Sequence, residues 1–491
     1  MILRMGKKST SERPRLLVAA PDGAVFEHPT LEMALDNGLD LLRVTQKDVI
    51  PLAADWDLMA MPGTRPVGYD PQTGTFTAVT TFTTDDGRTF EPWAVACHPP
   101  PGYVRAFHTA AEYTDATHPD TKLRQQAEEI AARRARDAEK MKKRGLHVLD
   151  SAGDDARPGL PLWAYTAVGA TSKGTVAALF LADETTRWSP ELFYKGDLKD
   201  RIRDRLALDP DNQVLQQLSQ CAGDYLCCCA SNVFYERWEG AVPVAPACTA
   251  ACLGCLSKEP AWNTPTPQKR LKFQPTPDEI ARVIAHHLER APEPMMSFGQ
   301  GCEGEPTMNG PVIIESIRLA RARTPRGIIN INTNGSRPET VRACAQVGAN
   351  ALRVSINTFD RDVYTMYYRP ADYTFDDVIR SLYVGRDMGM HNSINLLIWP
   401  GWTDQLAEVD RISKLVDDGA LQMIQLRNLC VDPGYFRTAL PPREQRGMLL
   451  GMKGFVAELH RRHPKLRFGT FNPRLAADWW PEVPAFPGGR L

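Results

Sequence analysis

The chain reads as an α/β protein, with a partial (β/α)6 TIM-like barrel preceded by a mixed, β-rich region. Three observations predict this. From residue 241 onward, six short apolar runs alternate with helical segments. Several of those segments open on capping residues. Residues 17 to 110 instead carry short β-rich stretches broken by Asp-Gly turns. Strands that alternate with helices imply a parallel sheet with right-handed crossovers, whose reactive groups sit beyond the carboxyl ends of the strands.

In the N-terminal region, LLVAA precedes Pro21-Asp22-Gly23, and the alternating run TFTAVTTFTT precedes Asp85-Asp86-Gly87. Asp-Gly between such runs predicts hairpins. From Asp120 to Arg144 the sequence carries nine basic and five acidic residues with few, small apolar positions, which predicts an exposed joining helix. A basic face that contacts RNA is the alternative for this helix. Residues 161 to 182 look like strands and 211 to 238 like a helix. The expected boundaries are a β-rich region over 1–119, the charged helix over 120–146, a mixed α/β region over 147–240, the barrel over 241–472 and a tail over 473–491.

The expected barrel strands are AVPVA (241–245), MMSF (295–298), IININ (328–332), LRVSI (352–356), SINLLIW (393–399) and MIQL (423–426). Thr276-Pro277-Asp278-Glu279 forms a capping box with proline at the first helical position, before Ile280, Val283, Ile284 and Leu288. Ser336 with Glu339, Thr374 with Asp377, and Thr403 before Leu406 are read as the same device. Gly348 and Gly389 fall where helices end in a left-handed residue.

The 491 residues include 58 basic and 59 acidic side chains, so no global charge attracts nucleic acid or an anionic membrane. Roughly 100 to 200 residues per domain suggests two or three domains. No apolar run approaches the 18 or so residues of a spanning helix, and the start MILRMGKKSTSERPR lacks an export signal. The expectation is a cytoplasmic protein with no membrane partner and no general nucleic-acid partner. Eleven cysteines without an export signal point to metal or redox chemistry rather than a disulfide framework.

Directly after the first expected strand, APACTAACLGCLSK places Cys248, Cys252 and Cys255 as Cys-x-x-x-Cys-x-x-Cys. Three thiolates on one loop can hold three irons of a cubane cluster and leave the fourth open. A zinc site is the alternative, although no fourth ligand follows at knuckle spacing; three buried cysteines without a task is another. At the second strand's end, MMSFGQGCEGEPTM offers Glu303, Gly304 and Glu305, a carboxylate-and-glycine pattern suited to an ammonium group. Cys302, beside them, is a candidate substrate or cofactor contact at the same mouth, with a small filler as the competing reading. NTNGS, with Asn334, follows the third strand, and strand alternation puts Ser355 and Asn357 on one side with Val354 and Ile356 on the other.

This set, in this order, resembles the radical SAM superfamily over roughly residues 241 to 430. The resemblance implies a 4Fe-4S cluster on Cys248, Cys252 and Cys255, with S-adenosylmethionine at its open iron. Glu303-Gly304-Glu305-Pro306 takes the place of the family's Gly-Gly-Glu-Pro segment, with Glu303 for the first glycine, and Glu305 would hold the methionyl amine. Ser355 and Asn357 would contact the ribose or carboxylate of the cofactor. An external electron donor such as flavodoxin or ferredoxin is implied, and the final substrate is unnamed. Arg427, Asn428 and Tyr368 are further substrate or cofactor candidates at strand ends. Cys227, Cys228 and Cys229 are read as buried small residues, with a second cluster as the alternative. A non-catalytic iron-sulfur or zinc sensor and an RNA-modifying enzyme of the same superfamily are the rival readings of the whole chain.

Overall fold

The computed structural model describes residues 3–4, 13–53, 56–114, 160–183, 186–189, 191–194, 196–258, 266–438, 440–441 and 446–474. The charged helix expected over 120–146 and most of the C-terminal tail lie outside these residues.

Seven parallel strands follow one another in chain order across the C-terminal sheet. They are Glu239–Ala241, Met295–Phe298, Ile328–Thr333, Ala351–Ile356, His391–Ile398, Met423–Asn428 and Arg467–Gly469. The first and last do not pair with each other, so the sheet is a curled half-barrel open on one side. Helices Pro277–Arg290, Gly310–Arg323, Pro338–Gln346, Phe375–Asp387, Leu406–Asp417 and Gly451–Arg462 connect or follow the strands. The α/β half-barrel with a β-rich N-terminal region is as expected, with two differences at its ends.

The first strand ends at Ala241 rather than running over 241–245, because the N–H groups of Val244 and Ala245 leave the ladder and donate to the Glu303 carboxylate. The seventh strand, Arg467–Gly469, was not expected from its sequence; it pairs with Met423–Gln425.

Two expected capping boxes form, at Thr276 with Glu279 and at Thr374 with Asp377. Two others do not. Ser336 lies two residues ahead of its helix and accepts from the Thr249 hydroxyl. The Thr403 hydroxyl accepts from Trp399 N–H, and Gln405 begins the helix instead. Helix 211–238 is also interrupted: Leu226 turns left-handed at φ 52°, dividing Gln213–Gly223 from Cys228–Tyr235.

Alternation along the central strands separates two environments. Leu352, Val354, Ile356, Ile394, Leu396, Ile398, Ile424 and Leu426 face the helices and are fully buried in one core. Arg353, Ser355, Asn395, Leu397 and Arg427 face the concave side and keep partial exposure. A period of two on a sheet covered by helices on one face requires this split. Deep in the concave side, Glu239 accepts from Ser297 (2.6 Å) and Asn472 (2.9 Å). Gln425 donates to Asn472 at 2.7 Å, and Arg353 donates to Gln425 at 2.7 Å. The half-barrel therefore has a polar interior.

The N-terminal region is a 13-stranded, mostly antiparallel sheet. Strands Thr166–Thr171 and Gly174–Ala177, which the sequence groups with the approach to the barrel, extend this sheet: the first pairs with Trp93–Cys97 and Arg15–Ala19, the second with the first and with Ile50–Pro51. The sheet docks on the barrel's carboxyl-end rim. Gly38 (φ 87°) and Gly401 (φ 85°) meet there; a Cβ on Gly38 would lie 2.5 Å from the Pro400 carbonyl, and one on Gly401 2.5 Å from the Asn37 carbonyl. Both the left-handed turn and the close approach call for glycine.

Candidate functional site

The cysteine loop leaves the end of the first strand and is held by backbone bonds on two sides. On one side, Gly304 N–H donates to Ala245 O (2.7 Å) and Glu305 N–H to Ala247 O (2.9 Å). On the other, Ala251 and Leu253 donate to the carbonyls of Tyr368 and Tyr367 at 3.0 Å each, and Ala371 donates to Thr249 O at 2.8 Å. Gly254 fits under Cys430: an added Cβ would lie 2.7 Å from the Cys430 carbonyl. The loop is thus shaped from the second, fourth and sixth strand ends together.

Cys248, Cys252 and Cys255 are partly exposed on this loop, whereas Cys97, Cys221, Cys302 and Cys344 are sealed in the interior. Desolvation pushes the Cys248 thiol up to about 11, helped by the Glu305 carboxylate and Cys255, and raises that of Cys252 well above its ordinary value, helped by Cys255 and Cys248. The bare Cys248 and Cys252 thiols are therefore protonated at neutral pH, and ligation must release those two protons. Among the described residues no three His, Cys, Asp or Glu side chains converge on a single metal-ion position. A cubane asks for something else, since each cysteine reaches its own iron. The donor set, its partial exposure and the pinned loop fit such a cluster on Cys248, Cys252 and Cys255.

Arg270 stands beside this loop. It donates to the Ser257 hydroxyl at 3.1 and 3.2 Å, and its Nη2 lies 3.9 Å from Cys255 Sγ. A fixed cation there offsets the negative charge of a thiolate-ligated cluster. Sequence reasoning missed it, because a lone arginine 15 residues past a cysteine carries no motif.

The two glutamates are buried and bonded to the protein. Glu303 accepts from the N–H groups of Val244 (2.7 Å), Ala245 (2.9 Å) and Gly299 (2.5 Å). Desolvation pushes its carboxyl up to about 8 against those bonds. Glu305 accepts from Thr307 N–H (3.0 Å), from the hydroxyls of Thr307 (2.5 Å) and Thr333 (2.6 Å), and from Asn334 N–H (2.7 Å). Glu303 thus braces the first strand to the second, and Glu305 braces the second to the third. For the methionyl amine expected at Glu305, the carboxylate retains only lone-pair capacity that these four donors leave.

Asn334 is similarly engaged: its amide donates to Thr249 Oγ1 (2.9 Å) and its carbonyl accepts from Ser336 N–H (3.0 Å), which ties the third strand's end to the cysteine loop. Ser355 faces the concave side and is partly exposed. Asn357 and Tyr368 are buried, and the Asn357 Oδ1 and Tyr368 hydroxyl have no hydrogen-bond partner. Buried polar atoms without a partner mark places where a polar ligand would restore bonding. Cys302 is buried in the hydrophobic core with a free thiol.

Arg427 and Asn428 diverge. Arg427 keeps to the concave side, donating to Thr470 O at 2.6 Å, with its guanidinium carbon 5.4 Å from the Phe471 ring centre. Asn428 is turned the other way. Its Oδ1 accepts from Arg105 N–H and its Nδ2 donates to Tyr103 O, both at 2.9 Å, so its amide is consumed in docking the N-terminal region and is not offered to a ligand. Cys227 caps the helix that Cys228 and Cys229 begin; all three are partly exposed rather than fully buried as expected, and desolvation raises each thiol.

Residues 242–411 match the model of the radical SAM superfamily, a segment that contains the cysteine loop and the ends of the second to fifth strands but covers less than half of the chain. Enzymes of that superfamily use a 4Fe-4S cluster and S-adenosylmethionine. No curated protein matches the sequence. Among solved structures, methylornithine synthase is 14% identical with a TM-score of 0.33, over 57% of this chain and 77% of that one. The Streptococcus suis protein SuiB is 14% identical with a TM-score of 0.31, over 56% of this chain and 60% of that one. Coproporphyrinogen III oxidase from Escherichia coli is 16% identical with a TM-score of 0.31, over 46% of this chain and 52% of that one. No helix among the described residues is long and apolar enough to cross a membrane.

Proposed function

We propose that this protein is a radical SAM enzyme that acts on a polar substrate held at the carboxyl-end rim of the half-barrel. One observation carries the reading: the loop of Cys248, Cys252 and Cys255 is clamped by backbone bonds to Gly304 and Glu305, inside a segment that matches the superfamily. When bound, the cluster and S-adenosylmethionine supply a one-electron reductive cleavage that yields methionine and a 5'-deoxyadenosyl radical for hydrogen abstraction. An external donor such as flavodoxin or ferredoxin would deliver the electron.

The chain's own residues have separable tasks in this reading. The three cysteines ligate, and Arg270 offsets charge beside Cys255. Gly304 lets the backbone approach the cysteine loop, while Glu305 fixes the Thr333–Asn334 turn. Ser355, Asn357 and Asn334 are the proposed cofactor contacts, with Arg427 and Tyr368 on the substrate side. The unpartnered atoms of Asn357, just past the fourth strand, and of Tyr368, at the end of the helix Arg361–Tyr368, favour an enzyme over a sensor, because a scaffold has no use for ligand-ready polar atoms there. The N-terminal sheet covers the rim at strands five and six and keeps solvent from that side.

The deciding experiment is iron and sulfide analysis of the anaerobically reconstituted chain, followed by dithionite treatment with S-adenosylmethionine and quantification of 5'-deoxyadenosine. Iron, sulfide and 5'-deoxyadenosine together are expected. A zinc-only protein, or a cluster that never cleaves the cofactor, would overturn the reading.

A further inference from the structure

Arg105 comes from the N-terminal region, in the short strand Tyr103–Arg105, and is 0% exposed. It lies against the carboxyl ends of the fifth and sixth barrel strands. Its Nη2 donates to Ile398 O (3.1 Å) and Leu429 O (3.0 Å), and its guanidinium carbon sits 4.8 Å from the Trp399 ring centre. Nε and Nη1 are buried with no acceptor. The Trp399 indole N–H beside them also lacks a partner. So does Nδ1 of His108, whose ring centre is 4.3 Å from that of Trp399 and whose Nε2 bonds Pro400 O at 2.9 Å.

No carboxylate among the described residues pairs with Arg105. Asp36 is taken by Arg437 at 2.6 Å. The Cys430 thiol, pushed up by burial, donates to Asn428 O. Desolvation lowers the Arg105 guanidinium to about 10, which leaves it charged at neutral pH. A buried charge with free N–H groups is strongly unfavourable unless something pairs with it. A purely structural arginine in this position would be expected to exhaust its donors on carbonyls or meet an acid.

We propose that Arg105 is the binding residue for a carboxylate of the ligand held at the barrel rim, with the Trp399 indole N–H as a second donor. One positive charge and a small number of free donors match a carboxylate monoanion better than a phosphate dianion. The carboxylate belongs either to the substrate or to the methionyl end of the cofactor. Either way the N-terminal region contributes directly to recognition. The source of the carboxylate rests on the enzyme reading above; the oxyanion site itself does not.

The test uses the full chain, reconstituted anaerobically, and two variants, Arg105→Gln and Arg105→Lys. Thermal midpoints are measured in sodium acetate against sodium chloride at matched ionic strength, and S-adenosylmethionine and its decarboxylated analogue are bound by equilibrium dialysis. The wild-type midpoint is expected to rise saturably with acetate. Arg105→Gln should lose that response, each variant's own midpoint in chloride serving as its baseline because the Ile398 and Leu429 carbonyls also lose a donor. Arg105→Lys, which keeps the charge, should respond weakly and serves alone if Arg105→Gln does not fold.

If the cofactor owns the carboxylate, Arg105→Gln weakens S-adenosylmethionine by about tenfold or more and leaves the decarboxylated analogue unchanged. If the substrate owns it, cofactor binding is unchanged and only the acetate response is lost. The proposal fails if wild type shows no acetate response, or if every tested variant keeps both that response and wild-type cofactor affinity. Iron content of the same samples reports separately on the enzyme reading: a chain without a cluster can still show the acetate response.

Discussion

Gly304 lies so close to Ala247 that a Cβ at position 304 would stand 1.9 Å from the Ala247 carbonyl oxygen. The same stretch carries the two backbone bonds, Gly304 N–H to Ala245 O and Glu305 N–H to Ala247 O, that lead into Cys248. Gly304→Ala must therefore move backbone rather than a flexible side-chain tip. Overpacking of this kind costs about 1–3 kcal/mol. The expected outcome is a folded protein with a lower melting temperature and much less bound iron after reconstitution. Full iron content in the variant would mean that the cysteine loop does not depend on this contact.

Glu305→Gln tests a different joint. All four donors that meet this carboxylate are protein groups, two of them backbone N–H at Thr307 and Asn334. Whichever way the glutamine amide is turned, its NH2 faces one of those N–H groups and leaves a buried donor without an acceptor, which costs about 1–3 kcal/mol. The Thr333–Asn334 turn should loosen while the backbone bonds to the cysteine loop remain. Cluster absorption is thus expected to persist with weaker S-adenosylmethionine binding, measured by equilibrium dialysis on the reconstituted variant.

Arg270→Gln addresses electrostatics. Its Nη2 lies 3.9 Å from Cys255 Sγ, and the guanidinium is fixed by Ser257. A cation at that distance favours the more negative, reduced cluster. Removing it should lower the reduction potential by on the order of 50 mV, close to a tenfold change in a one-electron equilibrium. A redox titration followed by electron paramagnetic resonance reads the shift. An unchanged or raised potential would mean that Arg270 serves only to hold Ser257.

The legibility of the sequence was uneven for physical reasons. Strands with clear apolar runs, such as Met295–Phe298 and Ala351–Ile356, were readable because their helix-facing residues must be apolar. Arg467–Gly469 was not, since three residues carry no pattern and its strand character comes from pairing with Met423–Gln425. The cysteine loop was legible through spacing. The docking role of Asn428 was not legible because its partners, Tyr103 and Arg105, lie more than 300 positions away in the chain. A strand-end residue can face the concave side or the docking surface, and position alone gave Arg427 and Asn428 the same status. Ser336 resembled a helix cap by spacing, yet Thr249 offered its side chain a tertiary bond instead.

His287 gives the clearest pH prediction. It is fully buried behind the first barrel strand, with Cε1 3.2 Å from where a Gly240 Cβ would sit, and its Nε2 bonds Trp238 O at 2.8 Å. Because that carbonyl can only accept, the neutral ring must carry its proton on Nε2. Desolvation lowers the His287 value from 6.5 to about 4. Between those values the unfolded chain binds a proton that the folded chain refuses, so stability is fully present above pH 6.5 and falls as pH drops toward 4. A shift of that size corresponds to about 3 kcal/mol by the linkage relation. His287→Gln keeps a donor for Trp238 O but removes the titration. The melting temperature of the wild type should fall more steeply than that of the variant between pH 6.5 and 4, with the two curves running parallel above pH 7. Equal slopes across the acid range would show that His287 accepts its proton without opening the strand.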